Sequence, residues 1–147
     1  MTVTSREASV GDEARWRALW ADYLAFYEVT VSPEITDGTW RRIFDPASAI
    51  GMRVAELDGS VVGFALYLTH EGTWISGRDC YLEDLFVDAD ARGHGVGRAL
   101  LDDLIALSKE NGWSRLYWHT SETNTRAQAL YDSYVKSDGH IRYRINF

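Results

Sequence analysis

Three glycines, Gly93, Gly95 and Gly97, lie between Arg92 and Arg98. A strand-like run, Tyr-Leu-Glu-Asp-Leu-Phe-Val, precedes this segment, and a helix-like run follows it. The first amides of a helix lack carbonyl partners and carry partial positive charge, and glycines let a bulky anion approach them. With two arginines nearby, such a corner is suited to a phosphate, and the span of amides fits a diphosphate better.

Two familiar phosphate-binding motifs do not match this segment. A P-loop requires a lysine and a magnesium-binding hydroxyl after its last glycine, and neither is present here. A dinucleotide-binding loop requires Gly-x-Gly-x-x-Gly and an acidic residue further along, and this spacing differs. A flexible turn with arginines nearby by chance remains the structural alternative, but the order of strand, glycines and helix favours an anion site.

Composition limits the class of protein. The 147 residues predict a single domain, residues 1–147, and 46% hydrophobic residues are enough for a full core. The net charge of −7 argues against nucleic acid as a partner. An acidic protein would suit a small cationic substrate, although many proteins without such a substrate are equally acidic.

Cysteine, histidine and apolar patterns predict what the protein lacks. Cys80 is the only cysteine, so there is no internal disulfide and no cysteine cluster for zinc, and we expect a buried structural thiol. The spacing of His70, His94, His119 and His140 indicates no metal site. The N-terminus lacks a signal-peptide pattern and no window resembles a membrane span, so we expect a cytoplasmic location.

Periodicity predicts an α+β fold with a mixed central β-sheet flanked by helices. Asp12 is the expected N-cap of the first helix, Gly112 the expected C-terminal cap of the third, and Leu57-Asp58-Gly59 a hairpin turn. The order is β-α-α-β-β-β-α-β-α-β, with elements over 2–8, 13–28, 37–44, 51–56, 60–69, 79–87, 96–111, 114–120, 125–135 and 141–147.

The chain resembles the GCN5-related N-acetyltransferase (GNAT) superfamily. Arg-Gly-His-Gly-Val-Gly resembles its Arg/Gln-x-x-Gly-x-Gly/Ala signature, and Asn-x-x-Ala-x-x-x-Tyr from Asn124 to Tyr131 and the element order also match. The resemblance implies that acetyl-CoA binds through loop amides that hold its pyrophosphate. It implies contacts from the following residues: Leu85, Phe86, Val87, Arg92, Gly93, His94, Gly95, Val96, Gly97, Arg98, Asn124, Ala127 and Tyr131.

Two residues are candidates for the chemistry that the resemblance implies. Tyr131 occupies the position where this superfamily commonly has a tyrosine facing the CoA sulfur, and a phenol can protonate a departing thiolate. Tyr131 could instead be a core residue of its helix, and Tyr134 is the fallback acid. Glu83 is the candidate base or amine-binding carboxylate, or else a structural partner of an arginine, since alternation places it beside apolar Leu85.

The nearest branches that the chain resembles are the diamine and polyamine acetyltransferases and the yeast Hpa type. They imply a diamine or polyamine acceptor first and an amino acid next, and a homodimer whose last strands lie near the partner. The segment 29–37 would line the acceptor pocket, with Glu34 and Asp37. The usual Lys-x-Gly-Phe after the tyrosine is missing, and His140 replaces its aromatic residue. A protein N-terminus or lysine as acceptor, and a non-catalytic acyl-CoA-binding module, remain alternatives.

Overall fold

The computed structural model describes residues 1–147 and contains one five-stranded sheet in the order β1-β2-β3-β4-β5. Strands β1 to β4 are antiparallel neighbours, and β5 is parallel to β4, so the sheet is mixed as predicted. The strands are β1 Val3–Glu7, β2 Ile50–Leu57, β3 Ser60–Glu71, β4 Arg78–Val87 and β5 Leu116–Trp118. The helices are α1 Glu13–Phe26, α2 Pro33–Ile43, α3 Val96–Asn111 and α4 Thr125–Asp132.

The helices cover both faces of the sheet and bury a core on each. On one face, Trp16 and Trp20 of α1 and Trp40 of α2 pack against Phe64 of β3. On the other face, Leu100, Leu101 and Leu104 of α3 pack with Cys80 and Leu82 of β4, and part of α4 joins them. The sheet is therefore held between two helical layers.

Two local predictions are confirmed. Asp58 and Gly59 both have positive φ, 50° and 87°, and Leu57 pairs with Ser60, which makes a two-residue hairpin turn. Helix α3 spans the predicted residues and ends at Gly112, whose φ of 69° is the left-handed conformation of a helix C-cap.

Helix α1 begins at Glu13 as predicted, but the capping of α1 and the start of α2 differ from prediction. Asp12 precedes α1, but its side chain caps nothing there, because its carboxylate accepts from Arg6 at 2.8 and 2.9 Å and from the Ser9 amide. Helix α2 begins at Pro33 instead of residue 37. Its N-cap is Ser32, whose hydroxyl accepts from the Ile35 amide. Proline suits the first helical position, because the N–H that it lacks would have no acceptor there.

A β-bulge at Glu83 overturns the predicted alternation along β4. Leu66 pairs with Asp84 and Tyr67 pairs with Leu82, so Glu83 has no partner in β3. An extra residue in one strand shifts every later side chain to the opposite face.

Beyond the bulge, the faces of β4 are therefore exchanged. Leu82 packs on the α3 side together with Leu85 and Val87, whereas Phe86 packs on the α1 side. The alternation assumed for Glu83 and Leu85 also implies that Leu82, Asp84 and Phe86 share one face, and this is wrong because the bulge separates Leu82 from Phe86.

The segment 141–147 does not form the predicted final strand within this chain. None of its residues makes a backbone hydrogen bond. Its alternate apolar side chains are exposed, with Ile141 at 75%, Tyr143 at 87% and Ile145 at 80%. The strand pattern is present, but the segment pairs with none of the five strands of the sheet.

Cys80 is fully buried in β4, and burial raises the pKa of its thiol to about 12. None of the four helices combines the length and the apolar character that crossing a bilayer requires.

Candidate active site

Strands β4 and β5 separate to form a fork. They pair only between Cys80–Leu82 and Leu116–Trp118, while β4 continues to Val87. The backbone of residues 83–87 therefore faces no strand on the β5 side. An open strand edge of this kind presents unpaired N–H and C=O groups to an extended ligand.

The glycine loop, residues 92–98, adjoins the end of β4. Gly93 and Gly95 have φ values of 85° and 80°, and a Cβ at either position would meet no atom within 4 Å. Ala99 is the first amide of α3 to find a carbonyl, the Gly95 oxygen at 3.0 Å. The amides of residues 96–98 therefore have no backbone acceptor and are available to an anion at the positive end of a 16-residue helix.

Gly97 serves a packing purpose. A Cβ at this position would lie 3.3 Å from Leu130 Cδ2, so the absence of a side chain lets α3 and α4 approach closely.

The two arginines of the loop direct their side chains away from its amides. Arg92 donates from Nε to the Val87 carbonyl at 3.1 Å, and its guanidinium lies over the rings of Phe26 and Phe86. Arg98 donates to the Ser133 hydroxyl at 3.0 Å. The backbone of the loop, more than these side chains, is arranged for an anion.

Tyr131 of α4 lies beside the fork. Its ring meets Trp118 of β5 edge-on at 5.3 Å, and its hydroxyl has no hydrogen-bond partner in the protein. Burial raises the pKa of Tyr131 to about 12, so the phenol stays protonated at neutral pH.

Tyr134, the fallback acid, is differently placed. Its hydroxyl donates to Asp102 of α3 at 2.6 Å and lies 3.3 Å from the Arg98 carbonyl. The proton of this phenol is therefore used in a hydrogen bond to α3.

A first cavity, of about 360 Å³, lies between the end of α1 and the start of α4. Asn124 lines it and also caps α4, accepting from the Ala127 amide at 3.2 Å. Asn124 and Ala127, which the resemblance predicts to contact acetyl-CoA, are therefore hydrogen-bonded to each other beside this cavity. Its other lining residues are Phe26, Tyr27, Glu28, Ser121 and Thr123.

A second cavity, the carboxylate cavity, has a volume of about 320 Å³ and lies between α2 and strands β3 and β4. Glu83 and Asp84 both line it. Val31 and Ile35 line it from the predicted segment 29–37. The two acidic residues of that segment do not: Asp37 pairs with Arg17 at 2.9 Å, and Glu34 is exposed on the first turn of α2.

Asp84, which sequence reasoning did not single out, is the more buried carboxylate. Tyr23 of α1 donates to its Oδ1 at 2.6 Å, while Glu83 is exposed. Burial is the main cause that raises the pKa of Asp84 to about 6, and the bond from Tyr23 only partly opposes it. A carboxylate with such a pKa is suited to hold or accept a proton near neutrality. Burial, together with the Asp84 charge, also raises the pKa of Tyr23.

The histidines stand apart from these groups. His94 is exposed in the glycine loop, His119 lies 3.2 Å from the Tyr81 hydroxyl, and His70 lies 2.6 Å from the Tyr117 hydroxyl. His140 pairs with Asp138 near the C-terminus.

Comparison with known proteins decides the family. The profile of the Acetyltransferase (GNAT) family matches residues 14–134. The chain is 34% identical over 137 residues to the D-amino-acid N-acetyltransferase HPA3 of Saccharomyces cerevisiae, covering 92% of this chain and 85% of that protein.

The chain belongs to the GNAT acetyltransferase family. It is an N-acetyltransferase, and enzymes of this family use acetyl-CoA. A partial match reaches the thialysine N-epsilon-acetyltransferase of Bos taurus, 35% identical over 78 residues, 53% of this chain and 45% of that protein.

The solved structures agree on the GNAT fold. AAC(6')-Iy, solved in complex with the bisubstrate analogue CoA-S-monomethyl-acetylneamine, has a TM-score of 0.82 at 20% identity over the full length of both chains. A ribosomal-protein-alanine N-acetyltransferase from Brucella melitensis has the same TM-score at 23% identity, covering 99% of this chain and 100% of that one. The predicted fold and family are confirmed.

Proposed function

We propose that this GNAT enzyme transfers an acetyl group from acetyl-CoA to the primary amine of a small acceptor bound in the carboxylate cavity, with residues 1–147 acting as one domain. The observation that carries the proposal is the position of the bulge in β4. The open edge of the strand and the glycine loop lie after Glu83, and the same residue lines the carboxylate cavity. The thioester and the amine would therefore meet at this point of β4.

The residues present fit acetyl-CoA, which supplies the activated acetyl group and a thiolate leaving group. The unpaired amides of residues 96–98, next to bare Gly93 and Gly95, suit its diphosphate. The free edge at Leu85, Phe86 and Val87 suits the amides of its pantetheine arm, which can pair as an added strand does. Arg92 would have to share the Val87 carbonyl with that arm or release it.

Tyr131 is proposed as the donor to the CoA sulfur. Its free hydroxyl stays protonated at neutral pH, because its pKa is raised to about 12. Protonation of a thiolate with an ordinary pKa of about 8.5 would then be uphill. The same apolar surroundings, however, also raise the basicity of a sulfur held there, so the two groups become better matched.

Asp84 and Glu83 are proposed to bind the acceptor ammonium and to take its proton. An amine must lose a proton before it can attack, and a carboxylate with a pKa of about 6 accepts one more readily than an ordinary carboxylate. The bond from Tyr23 fixes the orientation of Asp84. Glu83, predicted from the sequence as the base, is the more exposed of the two and would connect the cavity with solvent.

The acceptor class is a small primary amine. Net acidity and the resemblance of the β4 strand favour a diamine or polyamine, and the 34% identical relative named as a D-amino-acid N-acetyltransferase favours an amino acid. The test is CoA release from acetyl-CoA with diamines, polyamines, amino acids and a histone-tail peptide, read together with calorimetry of CoA binding. Binding of CoA without release on any amine would indicate a non-catalytic CoA-binding module and refute the proposal.

The enzyme is further proposed to act as a homodimer in which segment 141–147 of each copy pairs with the sheet of the other. The segment has strand alternation and no backbone hydrogen bond, and β5 ends the sheet without a neighbour. Such exposed apolar residues are typical of a surface that a partner covers.

Ile145→Lys tests the dimer. Because a lysine would be buried in the new strand pair, we expect this variant to be monomeric at concentrations where the native protein is a dimer, by light scattering after gel filtration. Val135→Lys, which charges an apolar residue outside the segment that is 60% exposed, is the control and should leave the dimer intact. A native protein that is monomeric throughout would contradict the proposal.

A further inference from the structure

We propose that Arg42 binds the carboxylate of an amino-acid acceptor whose amine is held at Asp84. This inference rests on the proposed function and narrows the acceptor to a zwitterion. It follows from the distribution of charge in the carboxylate cavity, which is lined by two acidic residues of β4 and by one arginine of α2. An amino acid carries an ammonium and a carboxylate on one carbon, so its recognition requires groups of both signs in one cavity.

The charge of Arg42 is not neutralised by any carboxylate of the protein. Its Nε lies 3.3 Å from the Gly38 carbonyl and a terminal nitrogen lies 3.4 Å from the Thr39 hydroxyl, both long bonds within its own helix. No carboxylate lies within ion-pair distance of Arg42, whereas Arg53 and Arg115 each have one at 2.6 Å. Arg42 is exposed and lines the cavity, and the planar donors of its guanidinium can bind both oxygens of a carboxylate.

The remaining lining of the cavity is largely apolar. Val31 and Ile35 come from the start of α2 and the loop before it, and Leu66 and Leu68 come from β3. This surface would accept an aliphatic side chain at little cost in desolvation. A diamine could place its ammonium groups at Asp84 and Glu83, but it carries no anionic group to neutralise Arg42 in the same cavity.

The test compares leucine, each enantiomer separately, with 3-methylbutylamine, which is leucine without its carboxylate. We expect the native enzyme to prefer one enantiomer of leucine in kcat/KM. In Arg42→Gln the ratio of leucine to 3-methylbutylamine should fall roughly 10- to 100-fold, the value of one charge-assisted pair. Arg42→Lys keeps the charge without the planar fork and should give an intermediate ratio.

Arg41→Gln is the matched control, since Arg41 is the adjacent residue of α2 and does not line the cavity. It should leave the native ratio unchanged. Calorimetry of leucine on CoA-loaded protein gives a second reading, in which Arg42→Gln should weaken binding by a similar factor.

The outcomes separate the two proposals. If the native enzyme acetylates 3-methylbutylamine as well as either leucine, or if Arg42→Gln does not change the ratio, the role of Arg42 is refuted and the proposed function stands. If acetyl-CoA is consumed with neither kind of acceptor nor with any other amine, the proposed function fails, and the inference about Arg42 fails with it.

Discussion

Asp84→Asn should stabilise the protein at neutral pH while impairing catalysis. The pKa of Asp84 is raised from 3.8 to about 6, mainly by burial, which means that the folded state disfavours the ionised form. A difference of about two pKa units corresponds to about 3 kcal/mol. Asparagine has nearly the same shape, carries no charge and can still accept the bond from Tyr23.

The sign of the pH dependence follows from proton linkage. Between pH 4 and 6 the folded protein binds more protons at Asp84 than the unfolded chain does, so the native free energy of unfolding falls as pH rises through this window. In Asp84→Asn the free energy of unfolding does not fall in this way, because asparagine does not ionise. Its advantage should therefore be near zero at pH 4 and reach at most about 3 kcal/mol above pH 6, or about 6–12 °C in Tm.

Urea unfolding of the ligand-free protein at pH 4.5 and 7.5 measures the effect. Glu83→Gln is the control: it removes a neighbouring but exposed carboxylate and should change stability by less than about 0.5 kcal/mol at either pH. In the native enzyme, kcat/KM should fall as pH drops below about 6, since protonated Asp84 no longer accepts a proton. A variant that is less stable at pH 7.5, or equally stabilised at both pH values, would show that burial does not dominate at this site.

Two further predictions concern the CoA side of the site. Gly95→Ala and Gly112→Ala each place an alanine at positive φ, at opposite ends of α3, and each should cost about 1–2 kcal/mol of stability. Only Gly95→Ala should also weaken CoA binding in calorimetry. An equal effect of both variants on CoA binding would argue against the loop as the diphosphate site. Tyr131→Phe should lower kcat by about 100-fold or more with CoA affinity unchanged. Tyr134→Phe, which loses the hydroxyl contacts with Asp102 and the Arg98 carbonyl, should reduce stability by about 1 kcal/mol and leave kcat intact, and the reverse pattern would exchange the two roles.

The parts of the fold set by local chemistry could be predicted from the sequence. Helix α3 has a strong apolar period, a glycine-rich start and Gly112 at its end, and its predicted and observed bounds coincide. The Asp58-Gly59 hairpin followed from residues that tolerate positive φ. The start of α2 was missed although its signal was present, since Ser32 followed by Pro33 is a typical helix beginning.

Features that depend on distant contacts could not be predicted. Nothing in Glu83-Asp84 says which of two adjacent carboxylates is the buried one, because the bulge and the partner Tyr23 decide it, and Tyr23 lies 61 residues away. The sequence likewise does not distinguish Arg41 from Arg42, and only the packing of α2 against the sheet places Arg42 at the carboxylate cavity. The final segment has the pattern of a strand, but no strand of this chain pairs with it, and alternation alone does not show whether a strand finds a partner.

The state of Cys80 has a consequence for an enzyme whose product is itself a thiol. Released CoA accumulates beside the protein and, under oxidising conditions, forms mixed disulfides with accessible thiolates. The sole cysteine is completely shielded and its thiol remains protonated until about pH 12, so it offers such exchange no reactive sulfur. Turnover should consequently survive iodoacetamide and oxidised CoA, and colorimetric thiol reagents should count only the released coenzyme.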